Sequence, residues 1–305
     1  MIHKKIFKSG WISETNEDIF FKKNNHPSSG LSFYLQNLIE EIKKENFNSN
    51  IEIHFNSQFS FTKNQKYLIL IEHSSIRPQN LIILPSRYKI IFGWDLKYKN
   101  LPNFVYLKYP HYWHETQKNR VRNLRYCMIC SNRNILIGDR ELSLYNQRQK
   151  IINYCERKES INFNLYGPGW EYINVKPGIL SNLIKFLKPF RKFSKRKKKL
   201  KNYKGIIENK FDLLCNSKFN FCFENIAKYE GYVSEKIWDS FASGSIPVYW
   251  PSWKIPNSYL PKDYYIDASK FNNEIDLFEY LESIPEQDII EWSNMIIDFQ
   301  KLKKT

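Results

Sequence analysis

The chain carries two kinds of hydrophobic pattern, and they alternate along its length. Short apolar runs rich in Leu, Ile, Phe and Val predict buried strands. These runs occupy residues 66–72, 88–94, 103–110, 125–132, 161–170, 218–225 and 246–250. Stretches with apolar residues at helical spacing, or with clear end signals, predict helices at residues 31–45, 144–158, 204–217, 235–243, 274–283 and 288–304.

This alternation of strands and helices predicts the fold class. Helical crossovers between successive strands make those strands parallel, so we expect an α/β protein. The alternation occurs twice, and 305 residues are enough for two such domains. We therefore predict two Rossmann-like domains that face a cleft, at residues 1–118 and 119–305, with a basic insertion at residues 176–204 in the second.

The composition excludes several classes of protein. Hydrophobic residues make up 42% of the chain, which is enough for folded cores and argues against disorder. No apolar run follows the basic start, and none reaches the roughly 18 to 20 residues of a membrane span, so we expect no signal peptide and no transmembrane helix. The five cysteines are odd in number and scattered, which favours reduced thiols in a cytoplasm.

The net charge of +16 is concentrated in one segment. Between residues 172 and 207 there are twelve Lys or Arg and no acid, and the rest of the chain carries +4. The segment is amphipathic up to Pro189 and becomes a basic tract after it. The stretch from Ile179 to Lys204 therefore fits attachment to the inner face of an anionic membrane, and a solvated insertion is the alternative.

Residues 219–250 carry the candidate chemistry. Glu224 and Asn225 follow a predicted strand, at the carboxyl end where open α/β sheets bind ligands. Ser234 is a suitable N-cap for the helix that follows, and Gly244 is a suitable stop.

Glu235 and Lys236 fall in the first turn of that helix. The positive end of the helix dipole disfavours a lysine, and a bound anion such as pyrophosphate would offset this cost. The alternative is that Lys236 is a solvated surface residue and Glu235 an acid that suits the dipole. Spacing alone leaves both interpretations open.

These residues resemble the donor-binding motif of the α-1,3-fucosyltransferase family, glycosyltransferase family 10. The matching blocks are FEN at 223–225, GYVSEKI at 231–237 and IPVYW at 246–250. Weaker similarity extends over residues 68–271. Pro251 departs from the family pattern, which usually has glycine after Tyr-Trp.

The resemblance implies a GT-B enzyme that transfers L-fucose from GDP-β-L-fucose to an acceptor glycan, with inversion and an α-1,3 linkage to GlcNAc or Glc. The N-terminal domain would bind the acceptor and the C-terminal domain the GDP-sugar. By similarity, Arg148 and Lys236 would neutralise the pyrophosphate, and Glu235 would hold the ribose hydroxyls. The other donor-binding residues would be Asn132, Glu224, Asn225 and Tyr232. Two fixed cations could stabilise the leaving GDP, so no metal cofactor is expected.

Inversion by a single displacement needs one general base to take the proton of the acceptor. Glu72 ends the predicted strand YLILIE, which places it at the carboxyl edge of the N-terminal sheet. The segment around it also resembles the family block with the catalytic glutamate. The alternative is that Glu72 pairs with Arg77 or His73, and Asp95 is then the next candidate base.

Other candidate sites are weaker. Cys127 and Cys130 have the spacing of half a zinc site but alternate within an apolar strand, which favours core packing. His111 and His114 have no acid-rich partner set. The chain contains neither a P-loop nor a D-x-D motif.

Two alternatives to fucosyl transfer remain open. One is a GT-B transferase for another GDP-sugar. The other is a membrane-surface or nucleic-acid binding protein built around residues 195–199. Nucleic-acid binding gives no reason for Ser-Glu-Lys at a helix start, so we expect no nucleic-acid partner.

Overall fold

The computed structural model describes residues 5–8, 30–57, 59–107, 116–132, 140–158, 160–170 and 200–302. Two parallel five-stranded sheets organise these residues. Strands up to Tyr106 belong to the first sheet, and strands from Leu124 onward belong to the second. The predicted α/β class is confirmed, while the domain boundary at residue 118 stays a prediction.

The first sheet contains five strands in the order of the sequence. They are β1 Lys5–Lys8, β2 Ile51–Phe55, β3 Gln65–Leu70, β4 Ile90–Gly93 and β5 Phe104–Tyr106. All neighbours are parallel, so the carboxyl ends of these strands meet at one edge of the sheet.

The two faces of the first sheet are covered differently. Helix α1, Gly30–Glu45, packs its apolar side on the face that carries Ile53 and Tyr67. Because side chains alternate along a strand, the opposite face carries Leu68 and Ile91. Loops rather than a helix cover that opposite face in the described residues.

The second sheet has the strand order β10-β9-β8-β6-β7. Its strands are β6 Leu124–Ile129, β7 Phe163–Tyr166, β8 Ser217–Phe221, β9 Ile246–Tyr249 and β10 Ile266–Asp267. The accompanying helices are α2 Tyr145–Arg157, α3 Lys210–Cys215, α4 Glu235–Ser243, α5 Glu274–Ser283 and α6 Glu286–Leu302. The central strands β8 and β9 are buried, which explains their apolar sequences.

The structure corrects several sequence predictions. Strands β1, β2 and β10 were not predicted; in β2, Glu52 and His54 interrupt the apolar pattern. The strand that was predicted to end at Glu72 ends at Leu70, so Glu72 lies two residues beyond its end rather than on it. The helix predicted at 204–217 begins only at Lys210, because Asn209 caps it there.

Some predicted features lie outside the described residues. Residues 171–199 hold most of the basic insertion, and residues 108–115 hold His111 and His114. The membrane role of the stretch from Ile179 to Lys204 therefore stays a prediction.

The two domains touch through the loop that precedes α4. The ring of Tyr232 packs on Trp94, with ring centroids 4.1 Å apart. The hydroxyl of Tyr106 donates a hydrogen bond to the carbonyl of Gly231 at 2.8 Å. Gly231 has a φ of +88°, and a Cβ there would lie 2.6 Å from the Trp94 carbonyl oxygen. Glycine therefore permits the close approach that holds the two sheet edges together.

Candidate donor-binding and catalytic site

Helix α4 begins and ends as the sequence predicts. Ser234 is the N-cap, and its Oγ accepts a hydrogen bond from the N–H of Lys236 at 3.4 Å. Gly244 ends the helix in the left-handed conformation, with φ +68°. Glu235 and Lys236 therefore occupy the first turn of α4, the end of a helix that favours anions.

Glu224 is the buried centre of this region, with no exposed surface. Its Oε1 accepts hydrogen bonds from the N–H of Ser234 and the hydroxyl of Tyr249, both at 2.8 Å. Its Oε2 accepts from Oγ of Ser234 at 2.7 Å and lies 3.6 Å from Nζ of Lys236. Glu224 thus positions the start of α4 and the lysine from inside, and its direct contact with a donor stays a prediction.

Lys236 and Glu235 are held in their charged forms by their surroundings. Burial alone would lower the pKa of Lys236, but the negative charges of Glu235 and Glu224 hold that pKa above its ordinary value. Burial likewise opposes ionisation of Glu235, yet the charges of Lys236 and Lys210 hold its pKa below the ordinary value. The first turn of α4 therefore presents a cation beside an anion at neutral pH.

Arg148 lies on α2 and is almost completely buried. Its Nη2 donates to the carbonyl oxygens of Phe223 and Glu224, at 2.6 and 2.8 Å. The same nitrogen donates to Oδ1 of Asn225 at 2.8 Å. Arg148 is therefore a fixed cation beneath the end of β8, rather than a solvated helix residue.

Asn225 connects the two sheets. Its Nδ2 donates to Oε2 of Glu72 over a long 3.4 Å, while its Oδ1 accepts from Arg148. The negative charge of Glu72 also contributes to the raised pKa of Lys236. The predicted base and the two predicted phosphate cations thus lie in one electrostatically coupled cluster.

Tyr232 and Asn132 are placed by packing and by a tight turn. Tyr232 is buried, and Nδ2 of Asn225 lies 3.4 Å from its hydroxyl. Asn132 follows β6, and its Nδ2 donates to the carbonyl of Gly169 in the GPGW turn at 2.9 Å. The structure brings seven predicted residues into one cluster and sets Asn132 on a neighbouring strand end. The seven are Glu72, Arg148, Glu224, Asn225, Tyr232, Glu235 and Lys236.

A pocket adjoins Glu72 on the first sheet, and its lining includes His73, Trp94, Asp95 and Lys97. Asp95 and Lys97 form an ion pair of 3.0 Å. Burial, followed by the positive charge of Lys97, lowers the pKa of His73 to about 4, so this imidazole is neutral at pH 7.

The thiols of Cys127 and Cys130 are buried in and beside β6. Burial raises their pKa values to about 12 and about 11. Within the part of the chain that the structure describes, no three His, Cys, Asp or Glu residues are grouped so as to hold a metal ion. In the same part, every helix is too short or too polar to cross a bilayer.

Sequence reasoning missed residues that support the site from beneath. Tyr249 holds the carboxylate of Glu224, and Trp94 supports Tyr232 from the first domain. Lys210 forms an ion pair with the buried Asp239, and its positive charge helps to lower the pKa of Glu235. Tyr249 stands inside the IPVYW block, which is a signal for it, whereas a lysine opening a short helix carries none.

Comparison with known proteins identifies the class from the fold. An α-glucosyltransferase (AGT) solved in complex with UDP has a TM-score of 0.52 at 12% identity, over 86% of this chain and 79% of that chain. The solved structure of TarM has a TM-score of 0.50 at 12% identity, over 88% and 55%. A solved α1,3-fucosyltransferase with GDP has a TM-score of 0.48 at 14% identity, over 99% and 90%. The fold is that of a GT-B glycosyltransferase.

The sequence of the second domain matches a known family. The family described as "Glycosyltransferase family 10 (fucosyltransferase) C-term" matches residues 144–290. The α-(1,3)-fucosyltransferase FucT of Helicobacter pylori is 40% identical over 79 residues, which are 25% of this chain. The match spans only 16% of that relative. Residues 144–290 are therefore similar to the C-terminal part of glycosyltransferase family 10.

Proposed function

We propose that the protein is an inverting fucosyltransferase. It transfers L-fucose from GDP-β-L-fucose to a hydroxyl of an acceptor glycan, with an α-1,3 linkage to GlcNAc or Glc as the expected product. The observation that carries the proposal is the family match over residues 144–290, because these residues contain both predicted phosphate cations.

The reaction is a single displacement at C1 of fucose. The acceptor oxygen bonds to C1 on the face opposite the phosphate, while the bond from C1 to the GDP oxygen breaks and its electron pair leaves with GDP. Glu72 takes the proton of the acceptor hydroxyl. Arg148 and Lys236 stabilise the negative charge that grows on the departing phosphate.

The coupling across the cleft supports Glu72 as the base. Its contact with Asn225 orients the carboxylate toward the second domain, where the donor binds in this proposal.

The nucleotide contacts follow from the charge states and the family resemblance. Glu235 is ionised and therefore accepts hydrogen bonds, which suits two ribose hydroxyl donors. Asn225 and Tyr232 contact the nucleotide or phosphate in this proposal, and Asn132 approaches it from the end of β6.

The pocket beside Glu72 is the proposed acceptor subsite. Lys97, whose side chain is 46% exposed, supplies a donor for hydroxyl groups, and its partner Asp95 supplies an acceptor. A glycan in this pocket would present a hydroxyl to Glu72 from the side of the first domain.

The proposal is tested by incubating the pure chain with GDP-fucose and an array of acceptor glycans, with mass detection of the products. Parallel reactions with GDP-mannose and UDP-galactose test the donor. A fucosylated glycan formed from GDP-fucose alone is the expected result. Faster transfer from another nucleotide sugar would replace the assigned donor. If no acceptor in the array is modified, the proposed fucosyltransferase activity is overturned.

A further inference from the structure

One loop of the first domain points its hydroxyl groups inward and its phenylalanine side chains into solvent. The loop that follows β2 contains the sequence Phe-Ser-Phe-Thr. The hydroxyls point inward: Oγ of Ser60 donates to Oε2 of Glu52 at 2.6 Å, and Oγ1 of Thr62 donates to Oε1 of the same carboxylate. The two phenylalanines point outward, with Phe59 52% and Phe61 98% exposed.

A buried carboxylate accounts for this arrangement. Glu52 on β2 has no exposed surface, and it also bonds Nε2 of the buried His54 at 2.9 Å. Burying an acid without partners is costly, so the loop turns its hydroxyls toward Glu52. Alternation along the extended loop then leaves Phe59 and Phe61 in water, against the hydrophobic effect.

A second loop lies on the same side of the sheet. The hydroxyl of Tyr88 is 3.3 Å from Nδ1 of His54, so the β3–β4 connection covers the face that carries Glu52. Oγ of Ser57 donates to the carbonyl of Ile82 at 3.0 Å and joins the two loops. The exposed apolar side chains of the second loop are Leu81, Ile82 and Leu84, at 61%, 64% and 46%.

Residues 59–66 and 81–89 together form what we call the outer loop surface. Neither segment contains an acid. The acid beneath them, Glu52, is fully buried and does not reach the surface. The basic residues on this side of the sheet are Lys63, Lys66 and Arg87, which are exposed or half-buried. Lys89 points the other way, with Nζ 5.7 Å from the centre of the Tyr67 ring.

We propose that the outer loop surface docks on an anionic lipid bilayer. Phe59 and Phe61 enter the boundary between headgroups and acyl chains, and Lys63, Lys66 and Arg87 lie at the phosphate level. The charge selects this occupant: a second copy of the chain would present the same three cations, and like charges oppose self-association. The apolar side chains project from two loops, which suits insertion into a fluid layer.

The outer loop surface adjoins the pocket beside Glu72. Nδ2 of Asn80 donates to the backbone carbonyl of Glu72 at 2.7 Å, and Oδ1 of Asn80 accepts from the N–H of Ser57 at 2.7 Å. Asn80 thus connects the loop after β2 to the pocket edge, and Ile83 of the outer loop surface itself lines the pocket. A docked membrane would border the pocket beside Glu72. The docking itself does not depend on the proposed reaction.

A fluorophore placed at the surface tests the proposal in the full chain. The five native cysteines are buried, so Phe61→Cys takes a polarity-sensitive label selectively. Val121→Cys is the matched control, because Val121 is 79% exposed and lies in the second domain. Each labelled protein is titrated at low salt with phosphatidylcholine vesicles, with and without phosphatidylglycerol. The label at 61 should shift to the blue with anionic vesicles and be quenched by a lipid-bound quencher, and the label at 121 should not.

Phe59→Ser with Phe61→Ser supplies the second measurement. Removing both side chains should weaken vesicle binding by about tenfold or more, with an unchanged melting temperature because both are exposed. Equal affinity of variant and wild type would overturn the proposal. A label at 61 that stays in water while another segment binds the vesicle would also overturn it, as would no binding at all. A shift that depends on protein concentration without lipid would assign the surface to self-association instead.

Discussion

The candidate site residues at the two sheet edges are held in place in different ways. At the edge of the second sheet, the side chain of Glu224 accepts three hydrogen bonds of 2.7 to 2.8 Å. Arg148 donates three more, of 2.6 to 2.8 Å, to residues 223–225. At the edge of the first sheet, Glu72 lies in a turn, and its carboxylate reaches Asn225 over a long 3.4 Å contact. One edge is preorganised, and the other depends on how the two domains meet.

This difference matches what each edge has to bind in the proposed reaction. A pyrophosphate has the same charge and shape in every nucleotide sugar, so fixed cations at a helix start suit it. Acceptor glycans differ in shape, and loops around a pocket can vary without disturbing the core. Substitutions at the two edges should therefore have different signatures.

The largest effect is expected at the first edge. Glu72→Gln keeps the shape of the side chain but removes the base, so kcat should fall by about 10² to 10⁴. GDP affinity and the melting temperature should stay near wild type. Exposed Glu41 on α1 gives the matched control, and Glu41→Gln should transfer normally. Transfer by Glu72→Gln within a few-fold of wild type would pass the role of base to another acid, with Asp95 next.

Loss of a phosphate cation at the second edge should come next. Lys236→Ala and Arg148→Ala should each lower kcat/KM by about a hundredfold, because a charged contact to the leaving group contributes about 2 to 4 kcal/mol in the transition state. Arg148→Ala should also lower stability, since its guanidinium is buried. Lys158→Ala, just past the far end of α2, is the control. Wild-type rates in both variants would remove the cation assignment.

A moderate effect is expected from Glu224, which positions Lys236 at the second edge. Glu224→Gln keeps the volume but removes the charge that draws Lys236, so kcat/KM should fall about tenfold and stability by about 1 to 3 kcal/mol. Tyr249→Phe removes one bond to the same carboxylate and keeps the charge. It should cost about 1 kcal/mol of stability and leave transfer within a few-fold. Equal losses of activity in the two variants would contradict a charge effect.

A smaller effect is expected from pH at the first edge. The pKa of His73 is lowered from 6.5 to about 4, so the unfolded chain binds its proton more tightly than the folded chain. The stability from this residue is complete above pH 6.5 and falls as the pH drops toward 4, by about 1 to 3 kcal/mol at most. Denaturant unfolding of wild type and His73→Gln at pH 7 and pH 5 measures it. An equal loss of stability in both proteins would show that other groups cause the pH dependence.

The smallest effect is expected from chelation of metals. Because two side-chain cations face the departing phosphate in the proposed reaction, transfer should continue at the same rate in EDTA. A complete loss that added Mg²⁺ or Mn²⁺ restores would replace this expectation with a metal-assisted reaction.

The donor edge could be predicted from the sequence to a large extent. Ser234 and Gly244 signal the two ends of α4, and the motif places Glu235 and Lys236 in its first turn. Local rules suffice there, because a helix start gathers neighbouring residues without help from the rest of the chain. What could not be predicted is that Glu224 is buried beneath that turn, because Tyr249 approaches it from another strand.

The sequence by itself determined the α/β class, most strands and helices, the family resemblance of the second domain and the identity of the charged residues at α4. Only the tertiary structure decided that Asn225 bridges Arg148 and Glu72, which are 76 positions apart along the chain. It also decided that Glu52 is buried and that Phe59 and Phe61 face outward, the reverse of what their polarity suggests. The physical reason is that a pattern records only the average preference of each residue type. The partners that offset the burial of a charge come from distant strands and loops, and those partners exist only in the folded chain.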